Sequence, residues 1–331
     1  MSGVQEMTKE FLNKINNVLE HEAEYMRSFV NYMTDSSIRT KYNYLNHVCA
    51  FMKFVNKDPE DLTFDDFNNY MTEISYKEDG KQTSSSYRIN IYSSLKRFSD
   101  YLYASKRIPE NYMLYIKRPK AKESQETIKK REKGYLTEEE ITVYLNALDD
   151  KSSYNHKQTE PWIARDKAII LTFLTTGIRN SALRMLDVED IDLKHKTMMV
   201  TDKGEKVRTY DLSDKLCKSI KEWLKWRNEL NNTNPHGKIK TNALFISGEY
   251  KRMDIVTVYK IVKKYAKDIN GKNITPHKLR ATYGTQLYNK TGDIYFVQQC
   301  MGHNDPHTTE LYVRDKKENT KRASEIMDSI I

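Results

Sequence analysis

Apolar residues in the first third of the chain recur at steps of three and four. Ile38, Tyr42, Leu45, Cys49, Met52 and Val55 fall on one helical face at this spacing. Thr63 opens a short amphipathic segment through Met71 and Ile74, and the serine run Ser84 to Ser86 precedes a further stripe of Ile91, Leu95, Phe98 and Leu102. The pattern predicts a bundle of about four helices over roughly the first 120 residues. Pro109 and Pro119 punctuate its end. Lys117 to Lys133 is dense in Lys and Arg with little that packs, the composition of an extended basic linker.

A new apolar pattern starts at GYLTEEEI, where Thr137 and Glu140 have the spacing of a capping box that opens a helix. Ala168 to Leu174 is an apolar run closed by Gly177, a residue able to take the positive φ of a tight turn, so that Arg179 is presented just after a buried helix. Met198 to Val200 and Val207 to Leu212 read as two short strands around Asp202-Lys203-Gly204-Glu205, a hairpin with Lys203 at its tip. From Leu216 the pattern is helical again, with Trp223 and Trp226 read as core or interface anchors rather than base-stacking groups. The expected fold is mainly α with a small β-sheet or hairpin. Its organisation is a helical domain over 1–118, a basic linker over 119–133, a second domain over 134–315 and a polar tail over 316–331.

Charge and cysteine usage narrow the picture. The chain of 331 residues carries a net charge of +9, with a pI near 9.1. That balance fits a polyanionic partner, nucleic acid first, although a lysine-rich surface alone is equally compatible with plain solvation. Cys49, Cys217 and Cys300 are odd in number and far apart, without CxxC or Cys/His clustering, so neither a disulfide framework nor a zinc site is suggested. They are expected as buried thiols in a reducing cytoplasm. No stretch reaches the roughly 18 apolar residues of a membrane span, and the N-terminus lacks an apolar core flanked by a cleavage site. The reading is a soluble cytoplasmic protein with no membrane partner.

Five short motifs carry the chemistry: TTGIRNSAL around Arg179, TDKGEKVR around Lys203, PHKLRAT around His277 and Arg280, MGH ending at His303, and TTELY ending at Tyr312. In this order the set resembles the tyrosine recombinase/integrase family, whose signature is Arg, Lys, His-x-x-Arg, His or Trp, then Tyr. The resemblance covers roughly residues 20 to 315. It implies an N-terminal core-binding bundle, a C-terminal catalytic domain, and DNA cleavage and rejoining through a 3′-phosphotyrosine and a Holliday junction.

Each residue then has an implied role. Cleaving a phosphodiester without a metal concentrates negative charge on the nonbridging oxygens, which guanidinium forks stabilise better than a flexible ammonium. Arg179 and Arg280 fit that clamp, Tyr312 is the nucleophile, and Lys203 supplies a proton to the leaving 5′ oxygen. His277 helps accept the tyrosine proton and His303 bonds a nonbridging oxygen. No metal, ATP or organic cofactor is implied. The implied partners are double-stranded DNA with inverted-repeat core sites, a homotetramer on two such sites, and an accessory protein setting direction.

Plainer readings stand beside these. Most of the 23 tyrosines pack, and Tyr312 is singled out only by its TTELY context. Lys196 and Lys206 flank Lys203 on one hairpin. His303 and His307 have the spacing of a metal pair, but Pro306 interrupts the helix such a pair needs. Where the family usually has Glu or Asp three residues after the first Arg, this chain has Ala182. The stretch before the bundle, about 20 residues, is too short for the added arm-binding domain of lambda-type integrases, so a compact Xer-type or mobile-element recombinase is expected. The tail, with Ile326, Met327, Ile330 and Ile331, reads as a frayed end or as a helix exchanged between protomers. Two other functions share the motifs: type IB topoisomerase-like relaxation, and a noncatalytic DNA-binding regulator descended from a recombinase.

Overall fold

The computed structural model describes residues 3–120, 134–149, 160–201, 207–233, 239–266, 269 and 272–302. Two compact units divide the chain, Val4–Gln125 and Glu126–Ile331.

Among the described residues the first unit contains five α-helices: α1 (Gly3–Leu19), α2 (Glu24–Tyr32), α3 (Ile38–Val55), α4 (Phe64–Glu73) and α5 (Ser85–Ala104). Local chemistry fixes their starts. The Ser37 hydroxyl accepts from the Thr40 N–H at 3.2 Å, and the Ser84 hydroxyl accepts from the Tyr87 N–H at 3.1 Å, each satisfying a donor that the first turn leaves orphaned. The stripes read from the sequence turn inward, with Leu45, Ile91, Leu95, Phe98 and Leu102 buried. Phe51 stacks on Phe67 at 4.7 Å, and Phe29 meets Phe98 edge-on at 5.2 Å.

The bundle is larger than the expected four helices. It begins at α1, which places Ile15 and Leu19 in the core, so the segment from Val4 to Leu19 belongs to the bundle and does not precede it. Lys, Asn and Glu between its apolar positions dilute the stripe that the periodicity search relies on. A polar pair lies half-buried among the helices, with His47 Nδ1 and Ser94 Oγ 2.7 Å apart.

The second unit is built around α7. Its elements are α6 (Glu138–Asp149), α7 (Glu160–Thr176), α8 (Asn180–Met185), β1 (Ile191–Asp192), β2 (Thr197–Thr201), β3 (Val207–Asp211), α9 (Asp214–Thr233), α10 (Ile255–Lys264), α11 (Pro276–Thr291) and α12 (Ile294–Met301). Ala168, Ile169, Ile170, Leu171 and Phe173 of α7 are all buried, which makes this a helix enclosed on most sides, with α9 and α11 packed along it. Trp223 of α9 is fully buried and donates its indole N–H to the Leu244 carbonyl at 2.8 Å. Trp226 is half-buried against the same core.

The capping box is formed. The Thr137 N–H donates to Glu140 at 2.8 Å, and the Glu140 N–H donates to the Thr137 hydroxyl at 3.2 Å. Just before it, the Leu136 N–H donates to Thr282 Oγ1 and Gln286 Nε2 donates to the Leu136 carbonyl, both at 2.9 Å, which ties the entry of α6 to α11.

The strands pair antiparallel in the order β1-β2-β3, with Ile191 opposite Met198 and Thr201 opposite Val207. Alternation along β2 buries Met198 and Val200 and exposes Met199, as a sheet with one covered face requires. The two-residue β1 was not anticipated, being too short to carry a periodicity. Cys49, Cys217 and Cys300 are free thiols and half-buried, less enclosed than expected.

Candidate active site

Arg179 is set by the way α7 stops. The Gly177 N–H bonds the Phe173 carbonyl at 3.0 Å and the residue takes φ +60°, a left-handed conformation that turns the chain out of the helix. Glycine is required here twice over, because a Cβ would also lie 2.3 Å from Cδ1 of Tyr283. Two residues later Arg179, extended at φ −73° and ψ 146°, occupies the N-cap position of α8 without a side-chain capping bond. Its Nη2 reaches the Gly302 carbonyl at 3.4 Å.

Arg280 comes from a different part of the chain. Pro276 occupies the first position of α11, and Thr275 caps it by accepting from the Lys278 N–H at 3.3 Å. One turn on, Arg280 is only 4% exposed, and an unpaired charge at such a depth would cost several kcal/mol, on the order of 3–5. Its donors are accordingly directed at backbone carbonyls: Nη1 to Gly177, and Nη2 to Met301 at 2.6 Å.

The two arginines therefore meet at one place. Met301 and Gly302 form the C-terminal end of α12, where Gly302 takes φ 65° and its N–H bonds back to Gln298 and Gln299. Carbonyls at a helix C-terminus carry partial negative charge, which suits two guanidiniums. The turn at Gly177, the terminus of α12 and the face of α11 thus form one junction, and His303 is the next residue in the chain.

His277 lies one turn before Arg280 on α11 and is exposed. Lys203, His303 and Tyr312 lie outside the described residues, as do His307 and the tail over 316–331. The flanks of Lys203 are described: Thr201 and Val207 are paired across β2 and β3. Ala182, three residues after Arg179, is buried in the core of the second unit.

Two side chains near the junction were not read from the sequence. Tyr283 packs under Gly177; burial, with Cys300 beside it, pushes its phenol well above the ordinary tyrosine value and keeps it protonated. Arg208 of β3 donates from Nη2 to the Gln299 carbonyl, again at the end of α12. Its signal was present in the alternation of β3, where Arg208 and Tyr210 take the less exposed positions between Val207, Thr209 and Asp211. An arginine on the covered side of a strand calls for a partner.

Residues 135–319 match the phage integrase family. The tyrosine recombinase XerC of Caldanaerobacter subterraneus subsp. tengcongensis is 30% identical over 313 residues, covering 87% of this chain and 82% of that protein. The tyrosine recombinase XerD of Chlamydia trachomatis serovar D is 33% identical over 228 residues, 68% of this chain and 69% of that one. Among solved structures, the XerH site-specific recombinase in a post-cleavage complex with its palindromic difH substrate has a similar fold, with a TM-score of 0.63 at 21% identity over 88% of this chain and 80% of that one. The Tn1549 transposon integrase bound to transposon right end DNA gives 0.61 at 18% identity, over 90% and 96%.

Proposed function

The chain belongs to the phage integrase family, and on that premise we propose that it is a site-specific DNA recombinase acting through a 3′-phosphotyrosine. The observation that carries the reading is the convergence of Arg179 and Arg280, about a hundred residues apart in sequence, on consecutive carbonyls of one helix terminus. Two forks held together at one point suit a single tetrahedral anion whose charge grows as it becomes pentacoordinate.

In the proposed reaction the Tyr312 oxygen attacks phosphorus, and the new P–O bond forms as the bond to the 5′ oxygen breaks. His277 takes the tyrosine proton, Lys203 protonates the departing 5′ oxygen, and His303 bonds a nonbridging oxygen together with the arginines. One diester is exchanged for another, so the step is close to isoenergetic and the 5′ hydroxyl of a second strand reverses it. Strand exchange between two sites then passes through a Holliday junction. Integration or excision of a mobile element and resolution of DNA dimers use this same chemistry.

Residues 1–118 serve as the core-binding domain, the basic stretch 119–133 as the linker, 134–315 as the catalytic domain, and 316–331 as a tail exchanged between protomers. The partner is double-stranded DNA with inverted-repeat core sites, bound by a homotetramer across two sites. Support for the DNA partner comes from the net charge of +9 and from the DNA-bound state of the XerH and Tn1549 proteins.

Covalent trapping tests the proposal. Wild type and Tyr312→Phe are incubated in EDTA with nicked duplexes taken from DNA that the wild type selects out of a random library. A denaturation-resistant adduct formed by wild type alone is the expected result. Specific binding without an adduct would overturn it in favour of a regulator, and efficient relaxation of any supercoiled plasmid without site pairing would favour a topoisomerase.

A further inference from the structure

Resting on the recombinase reading, we propose that Arg208 is a positioning residue for the arginine pair, bracing the left-handed turn at the end of α12 on which Arg179 and Arg280 are aligned. The Gln299 carbonyl accepts the Gly302 N–H at 3.2 Å, the bond that closes this turn, and it accepts Arg208 Nη2 as well. Two and three residues further on, the carbonyls of Met301 and Gly302 take Arg280 and Arg179. Three guanidiniums from three elements thus address carbonyls 299, 301 and 302 of one terminus. A helix end offers roughly half a negative charge, which one cation would answer. Three converging there act on position rather than on charge balance.

Contact with the turn is close. A Cβ at Gly302 would lie 1.9 Å from Arg208 Nη1 and 2.7 Å from its Cζ, so the Nη1 end of the guanidinium presses against the turn and only glycine admits it. The guanidinium is also held by an aromatic ring, with Cζ 5.5 Å from the centroid of Tyr210. The backbone beneath is fixed by pairing, since Arg208 lies opposite Val200 in the ladder of β2 and β3. Arg208 therefore transmits the position of a rigid sheet to the terminus that sets the two arginines. Nη1 is buried without a hydrogen-bond partner among the described residues, so Nη2 is the donor that makes the connection.

The test uses the full chain on nicked duplexes carrying the site it cleaves, with either an ordinary phosphate or a methylphosphonate at the scissile position. A methylphosphonate lacks the charge that aligned arginines neutralise, so a variant whose fault is arginine alignment should be less impaired on it. Arg208→Met is expected to slow adduct formation at saturating DNA about 10²-fold on phosphate, the scale of a misplacement near 1 Å. On methylphosphonate that defect should shrink at least about tenfold relative to wild type. Arg280→Met should show the same shrinkage, Lys203→Met should not, and Arg208→Lys, which keeps one donor for Gln299, should recover part of the rate.

Gly302→Ala forces the guanidinium off the turn and should reproduce the pattern, keeping the test open if Arg208→Met does not fold. An equal defect on both substrates, or a loss confined to DNA affinity, would overturn the proposal. Wild type that forms no adduct on either substrate would instead overturn the recombinase reading on which it rests.

Discussion

Gly177→Ala probes whether the turn at the end of α7 is as constrained as its geometry demands. Alanine at φ +60° costs about 1–2 kcal/mol. Its methyl would lie 2.3 Å from Cδ1, 2.9 Å from Cε1 and 3.0 Å from Cγ of Tyr283, so the ring must move, at about 1–3 kcal/mol for overpacking. Against this, alanine lowers the entropy of the unfolded chain, returning about 0.4–1 kcal/mol. The net expectation is a loss of about 3 kcal/mol. All three tryptophans, Trp162, Trp223 and Trp226, lie in the second unit, so urea unfolding followed by tryptophan fluorescence reports on that unit selectively. In a Tyr283→Ala background every crowding ring atom is gone, and Gly177→Ala should then cost only about 1 kcal/mol, a coupling of about 2 kcal/mol. A variant within about 0.5 kcal/mol of wild type, or an equal cost in both backgrounds, would refute the argument. Because the Gly177 carbonyl holds Arg280, adduct formation by the folded variant should also slow.

Arg280→Lys replaces a fork that reaches both the Gly177 and Met301 carbonyls with a single ammonium, and cleavage should fall about 10²–10³-fold, measured as the single-turnover adduct rate; a loss below about threefold would argue against a clamp. Asp166 is 1% exposed and accepts from Arg165 at 2.6 Å, Tyr265 at 2.9 Å and Lys264 at 3.2 Å. Asp166→Ala should destabilise the second unit by about 3–5 kcal/mol in the same fluorescence titration, since it leaves the Arg165 charge buried. Burial holds the His47 imidazole below its ordinary pKa of 6.5, so below pH 6.5 the unfolded chain binds the proton more readily than the folded one. Stability of the first unit should be complete above pH 6.5 and fall as the pH drops through the folded value, by at most about 1.4 kcal/mol per pH unit. Amide hydrogen exchange of α3 and α5 measures this, and a His47→Gln variant should flatten the slope.

Much of this protein was legible in its linear order. Helix periodicity located α3, α4 and α5; the apolar run closed by Gly177 located α7; Thr137 and Glu140 announced the start of α6; the two strand patterns around Lys203 located β2 and β3. The motif residues named the chemistry, because residue type and spacing in five short segments are properties of the sequence itself. Elements whose apolar residues are diluted by charge, as in α1, or which are only two residues long, as in β1, left too little periodic signal to read.

The placement of the site is a different kind of information. That Arg179 and Arg280 share one helix terminus depends on α7 and α11 packing side by side and on Gly302 ending α12 in a left-handed turn. The parts of Arg208 and Tyr283 depend on the same junction. These are contacts between segments about a hundred residues apart, and nothing local to either segment encodes the other's position. The sequence by itself determined which side chains are available and which stretches form helices. Only the tertiary structure decided which of them meet, because a charge as buried as Arg280 is stable solely where distant backbone carbonyls have been packed into reach.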